Sequence, residues 1–226
     1  MSQSLFSGSE VFSHLLNTVL ADYVLNSLIL MAGVGIGTII MGVPAAWLAA
    51  MCDFPGRRWL DWGMLLPLAM PAYVIAYTYT GMLDFAGPVQ TVLRELTGWG
   101  YGDYWFWDIR SHSGAIAMLV LVLYPYVYLM ARATFLEQSS VSFEASRNLG
   151  YSPFRAFLKV AIPMARPAII AGVSLALMET LADYGTVQYF GIPTFSTGIF
   201  RTFYGFGDAN GAAQLASLLL LFVATL

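Results

Sequence analysis

Thirty consecutive residues, Tyr23 to Cys52, contain no Asp, Glu, Lys or Arg, and this stretch restricts the fold more than any other feature of the chain. A helix crossing the hydrocarbon core of a bilayer needs about 20 apolar residues, so one gap of this length already reads as a crossing. Further charge-free stretches follow at Trp62–Leu83, Ser113–Ala131 and Gly211–Leu226. A fourth crossing begins at Pro167 and has to pass Glu179 and Asp183 before the turn-like Gly191-Ile192-Pro193. The expectation is therefore an all-α, polytopic bundle with about five spans. It comprises an outer segment at residues 1–22 and a membrane core at 23–226 cut short at the C-terminus. Composition agrees, since 58% of the 226 residues are hydrophobic and only 10% charged, where a soluble domain carries roughly a quarter charged residues. A net charge of −3 gives no electrostatic reason to expect nucleic acid as a partner. The single cysteine, Cys52, excludes an internal disulfide.

Loop charges orient the spans, because Lys and Arg collect on the cytoplasmic side. Arg57 and Arg58 lie between the first two spans, and Arg132, Arg147, Arg155, Lys159 and Arg166 between the third and fourth. The other side holds only Arg94, Arg110 and Arg201. The N-terminus is expected outside and the loop 132–166 in the cytoplasm. A chain that starts outside without a signal peptide implies a further span upstream of Met1. On the outer side, residues 84–112 carry Trp99, Tyr101, Tyr104, Trp105, Phe106 and Trp107. They suit an aromatic belt at headgroup level or a docking surface for an extracytoplasmic partner, with Asp103 and Asp108 as its charges. Within the first span, Gly33 and Gly37 form a GxxxG pair that lets another helix approach closely. Pro67, Pro71 and Pro125 favour kinks in the second and third spans.

The cytoplasmic loop is specifically punctuated. Ser142 is placed as an N-cap, Glu144 falls in the first turn, and Gly150 stands where a left-handed helix end is wanted. Ser152-Pro153 then opens a second, amphipathic helix expected to end at about Ile162, before Pro163. Glu144-Ala145-Ser146, three residues, Gly150, nine residues and Val160-Ala161-Ile162-Pro163 resemble the EAA signature of ABC-importer permeases. That signature reads E-A-A, three residues, G, nine residues, I-x-L-P, so Ser146, Val160 and Ile162 depart from it conservatively. Leu65–Tyr73, Tyr124-Pro125-Tyr126 and Glu179–Gly191 are similar to the ferric-iron type of these permeases, whose chains usually hold two such cores.

The resemblance implies a permease fold of the MetI-like type. It also implies a coupling segment in which Glu144, Ala145, Gly150, Ile162 and Pro163 meet a cytoplasmic ABC ATPase dimer. An extracytoplasmic substrate-binding protein, a second permease core and an inner-membrane location belong to the same expectation. The chain carries no G-x-x-x-x-G-K-[ST] motif, so ATP is expected on the partner, with no cofactor, metal or catalytic residue on this chain. Glu179, Asp183 and Tyr184 are candidates for a translocation pathway, because acids within a span are costly. They suit equally a structural role between helices. Ferric iron comes first as cargo, followed by polyamine, molybdate, thiosulfate or phosphonate. A passive channel leaves the EAA-like loop without a purpose. An acid-dependent membrane enzyme lacks a second catalytic group in the other charge-free spans.

Overall fold

The computed structural model describes residues 18–100, 102–137, 145–146 and 148–224, and all of its regular structure is helical. Among the described residues three helices are long and apolar enough to cross a membrane: α1 (Leu20–Met51), α5 (His112–Glu137) and α6 (Pro153–Ala182). The second expected crossing is not a straight span. It consists of α2 (Arg57–Gly63), a 3-10 turn at Leu66–Ala69, α3 (Ala72–Leu83) and α4 (Pro88–Thr97), and the direction changes by 101° between Ala69 and Ala72. Pro71 is the cause. It offers no N–H, and it forces Met70 into an extended conformation at φ −119°, ψ 134°. After α6 come α7 (Gly185–Tyr189), α8 (Phe195–Phe200) with a π continuation at Arg201–Gly205, and α9 (Ala209–Ala224). The 16 residues of α9 form a short apolar helix, below the length that marks a crossing by itself. The expected boundary at residue 22 falls inside α1.

By its packing the chain divides into two compact units. The first contains the described residues through Gly33, Ala72–Met118 and everything from Met178 on. The second contains Val34–Pro71 and Leu119–Leu177.

In the second unit, α5 is clasped on two sides. A Cβ on Gly42 of α1 would lie 3.0 Å from the Tyr124 carbonyl oxygen and 3.1 Å from the Tyr128 nitrogen. One on Gly172 of α6 would lie 2.8 Å from the Val127 Cα. Both helices thus meet α5 backbone to side-chain-free backbone, the packing that small residues permit where lipid supplies no hydrophobic drive. Val43, Ala46, Val127, Tyr128, Ala131, Phe135, Phe157, Ala161 and Ala165 form the core between them. The expected GxxxG pair also packs on α5, with Gly37 against Val120 here and Gly33 against Ile116 in the first unit.

The expected helix end at Ile162 is not observed. α6 runs through both Pro163 and Pro167, and the turn before Pro163 is widened into a π segment, Phe157–Ala161. The Ile162 N–H there reaches back five residues to Phe157 O, so the ladder has already left α register before proline withholds its donor.

In the first unit, α7 packs on α3, and α9 packs on α8 and its π continuation. The aromatic loop before α5 is folded onto α4: the Tyr104 hydroxyl donates to Gln90 Oε1 (2.8 Å) and receives Arg94 Nη1 (3.1 Å). Trp105 remains 86% exposed. Asp103 and Asp108 accept the N–H groups of Gly100 and Arg110, so both serve local turns. Tyr101 lies outside the described residues.

Candidate functional site

Of the segment expected to couple, Ala145, Ser146 and the residues from Asn148 on are described, and Glu144 lies outside the described residues. Ala145 and Ser146 are helical, the former exposed and the latter buried. The Leu149 N–H bonds Ala145 O (3.0 Å), the Tyr151 N–H bonds Ser146 O (3.1 Å), and Gly150 sits at φ 86°. This 6→1 closure over a left-handed residue is the helix end the sequence called for. Ser152 then caps α6, its Oγ accepting the Arg155 N–H at 3.3 Å, with Pro153 in the first turn. The entry of α6 is anchored by Ala156 and Phe157, both buried, and the Phe157 ring stands 5.0 Å from Trp47. Ile162 packs against the same core. Pro163 is half-buried.

What the segment presents outward is apolar. Leu149 is 82% exposed and Phe154 68%, and Leu158 is exposed as well. A Cβ at Gly150 would meet nothing within 4 Å. Large exposed apolar side chains are thus gathered around this turn.

The acidic candidates lie elsewhere than the sequence placed them. α6 ends at Ala182, so Glu179 belongs to its final turn, and it is exposed. Asp183 is the first residue beyond the helix, so the two do not share a helix face in the expected way. Its N–H still bonds Glu179 O (2.9 Å). Its carboxylate is committed to α7, accepting from Thr186 N (2.9 Å), Val187 N (3.1 Å) and Thr186 Oγ1 (3.1 Å). The main-chain oxygen of Asp183 receives Ser196 Oγ at 2.6 Å. Tyr184 stacks on Phe200 with ring centroids 4.1 Å apart. Among the described residues no three His, Cys, Asp or Glu side chains converge on one point. His14 is outside the described residues, and His112 Nε2 lies 3.1 Å from Asn26 Oδ1.

One charged cluster escaped the sequence reading. Arg132 near the end of α5 grips Asp61 of α2 with two bonds, Nε to Oδ1 at 2.8 Å and Nη2 to Oδ2 at 2.6 Å. The Tyr128 hydroxyl also donates to Asp61, and Tyr124 donates to Met64 O at 2.9 Å. Arg57 caps α1 through Ala49 O (2.6 Å) and Ala50 O (3.2 Å). These residues flank the charge-free stretches, so a search for charges within spans passes over them. The usable signal was the pairing of opposite charges at two loop ends assigned to the same side.

The sequence pattern of the family described as "Binding-protein-dependent transport system inner membrane component" matches residues 39–226. The chain belongs to this family. As a member it is a transport component of a membrane, and its long apolar helices fit that class. The Fe(3+)-transport system permease protein FbpB 2 of Haemophilus influenzae is 29% identical over 207 residues, covering 92% of this chain but 36% of the relative. The molybdenum transport system permease protein ModB of Escherichia coli is 29% identical over 183 residues, covering 77% of this chain and 76% of the relative. Among solved structures, an inward-facing MetNI methionine ABC transporter matches with a TM-score of 0.70 at 20% identity, over 96% of this chain and 93% of that one. That likeness establishes the fold of the component as an ABC-importer permease fold. The chain spans about a third of the length of the iron relative.

Proposed function

We propose that the chain is a translocation core of an ABC importer, driven by a separate cytoplasmic ATPase dimer that meets the segment Glu144–Gly150. The carrying observation is the closed turn at Gly150, rimmed by exposed Leu149 and Phe154 and set directly before a capped helix. A push on this turn is received by Ser152 and Pro153 and enters α6, whose Phe157, Ala161 and Ala165 are buried in the core of the second unit. Thirty helical residues span about 45 Å, enough to carry that displacement across a bilayer. Glu144, as the segment's acid, contacts the ATPase; Ala145 lets it approach; Ile162 and Pro163 complete the entry of α6.

At the far end of α6, an exposed Glu179 does not face hydrocarbon at acceptable cost. The face that carries it therefore lines the pathway or meets the second permease core, and Tyr184 follows on the same route. The length of the iron relative supports a second core in the same full-length chain. The outer aromatic loop, with Trp105 exposed, is the surface for the substrate-binding protein. ATP is bound by the partner, and this chain carries no cofactor. The location is the inner membrane.

Ferric iron stands first as cargo, because residues 65–73, 124–126 and 179–191 resemble that type and the iron relative aligns over most of this chain. A small oxyanion is the second reading, carried by the equal identity of the molybdenum relative. The test is co-purification of the full-length protein with its ATPase, together with uptake of labelled ferric ion and molybdate. Glu144→Ala is expected to weaken the ATPase complex and abolish uptake at normal membrane level. ATPase association and uptake at the parent value in Glu144→Ala would overturn the coupling role.

A further inference from the structure

A cavity of about 490 Å³ opens within the first unit, bounded by the start of α1, by α7 and by α8 with its π continuation. Its size falls in the range of small-molecule sites. Five of its lining side chains carry polar groups without a partner among the described residues: Tyr23, Tyr184, Gln188, Arg201 and Tyr204. Tyr23 is the telling one. Its ring is packed, 3% of the residue being exposed, 6.4 Å from Phe195 and in close contact with Gly198, while its hydroxyl stands at the cavity wall within the field of Arg201 and has no hydrogen-bond partner among the described residues. A phenol held this way can donate to a guest in the cavity.

The charge on the wall has one sign. Among the described residues of the lining Arg201 is the sole ionic one, and no described carboxylate pairs with it; its guanidinium rests 5.7 Å from the Phe206 ring. None of the nearby acids is on the lining: Asp183 spends its carboxylate on Thr186 and Val187, Asp208 accepts the Gly211 N–H at 2.9 Å through one oxygen, and Asp22 is exposed. The wall thus offers a guanidinium, three phenol hydroxyls and an amide. An arginine only donates, and phenols and amides can all donate to one acceptor-rich guest. A bare hard cation wants carboxylates, which the lining lacks. Arg201 opens a π segment, the kind of local widening that recurs at functional sites. The stack of Tyr184 on Phe200, and of Phe200 on Tyr204 at 5.8 Å, holds two of the phenols in place.

We infer that this cavity binds an oxyanion group, gripped by the fork of Arg201 and the hydroxyl of Tyr23. The inference deepens the reading of the chain as an importer permease and rests on it for the identity of the guest as cargo. The same oxygen chemistry is offered by a free oxyanion or by one carried as a ligand on ferric iron.

The experiment uses the full-length permease in lipid nanodiscs without its binding protein, titrated with sodium molybdate, sodium sulfate, sodium citrate and ferric citrate. At least one should bind, with Arg201→Gln weakening it tenfold or more, Arg201→Lys by less, and Tyr23→Phe about threefold to tenfold. Tyr23→Phe removes one oxygen and leaves the packing, so it tests the site even where Arg201→Gln folds poorly. Binding of an iron-free salt identifies a free oxyanion; binding of ferric citrate alone, with the same sensitivity to both variants, identifies an oxyanion ligand on iron. No binding by the parent, or binding indifferent to Arg201→Gln and Tyr23→Phe, overturns the inference. ATPase association is measured on the same samples: its loss in the parent counts against the importer reading and leaves the site standing.

Discussion

Substitutions at Gly150 separate backbone strain from contact. The residue sits at φ 86°, and a Cβ there meets nothing within 4 Å, so a side chain costs only the left-handed conformation. For alanine that cost is roughly 1–2 kcal/mol. A β-branched valine stands at the upper end of backbone strain, about 3 kcal/mol. Asparagine tolerates the region, and its cost is small. If the ATPase binds only the closed turn, the apparent affinity falls with the fraction of molecules that hold it. The largest expected weakening is then about 5- to 30-fold for Gly150→Ala and roughly a hundredfold for Gly150→Val, at 1.4 kcal/mol per tenfold, while Gly150→Asn stays within a few-fold. The assay is titration of the purified ATPase onto the nanodisc-embedded permease, with membrane level followed in parallel. An order set by side-chain size, with Asn no better than Val, would refute the argument, since it would mean that contact and not φ governs the position.

Other perturbations address other parts. Arg132 and Asp61 are joined by two short bonds, with side chains 29% and 24% exposed, so a double-mutant cycle of Asp61→Asn and Arg132→Gln should give a coupling of about 1–3 kcal/mol in unfolding from detergent; a value near zero sinks the pair as a tie between α2 and α5. Gly172→Ala places a Cβ 2.8 Å from the Val127 Cα and should cost about 1–3 kcal/mol, whereas Gly63→Ala in open space should cost nothing; equal thermal stability of the two would contradict the packing described. Asp183→Ala strips three hydrogen bonds from the start of α7 and should lower membrane level together with uptake. Glu179→Gln should lower uptake at unchanged level, and unchanged uptake removes it from the pathway.

What was legible in the sequence was local. Gly150 and Ser152-Pro153 declared a helix end and a helix start because each acts on backbone groups within a few residues, and both stand where they were expected. Pro71 announced a bend, but its size of 101° depends on what surrounds it. Pro163 was misread as a stop, because a proline rule written for α register does not anticipate a π turn ahead of it. The charge gap after Arg166 starts the fourth span fourteen residues beyond the observed start of α6 at Pro153. Asp61 and Arg132 are 71 residues apart in sequence. Only the return of the chain to the same end brings them together, and no spacing rule encodes that. Arg201 and Tyr23 were invisible for the same reason, although each was plainly present as a lone polar residue beside an apolar stretch.

The π segment at Phe157–Ala161 makes residue count itself a structural variable. Its hydrogen bonds accommodate one residue more than α-helical winding would, and each residue turns a helix by about 100°. Removing any one residue between 157 and 161 would let the ladder close in α register and swing everything ahead of it about the axis of α6. Ala165 and Ile169 would stay in their core, while Ala156 would leave its buried place and Phe154 and Gly150 would point in a new direction. Substitutions along this stretch change surface chemistry by degrees; a single deletion re-aims the surface as a whole. Related chains should therefore vary in the letters between Gly150 and Pro163 and keep their number fixed.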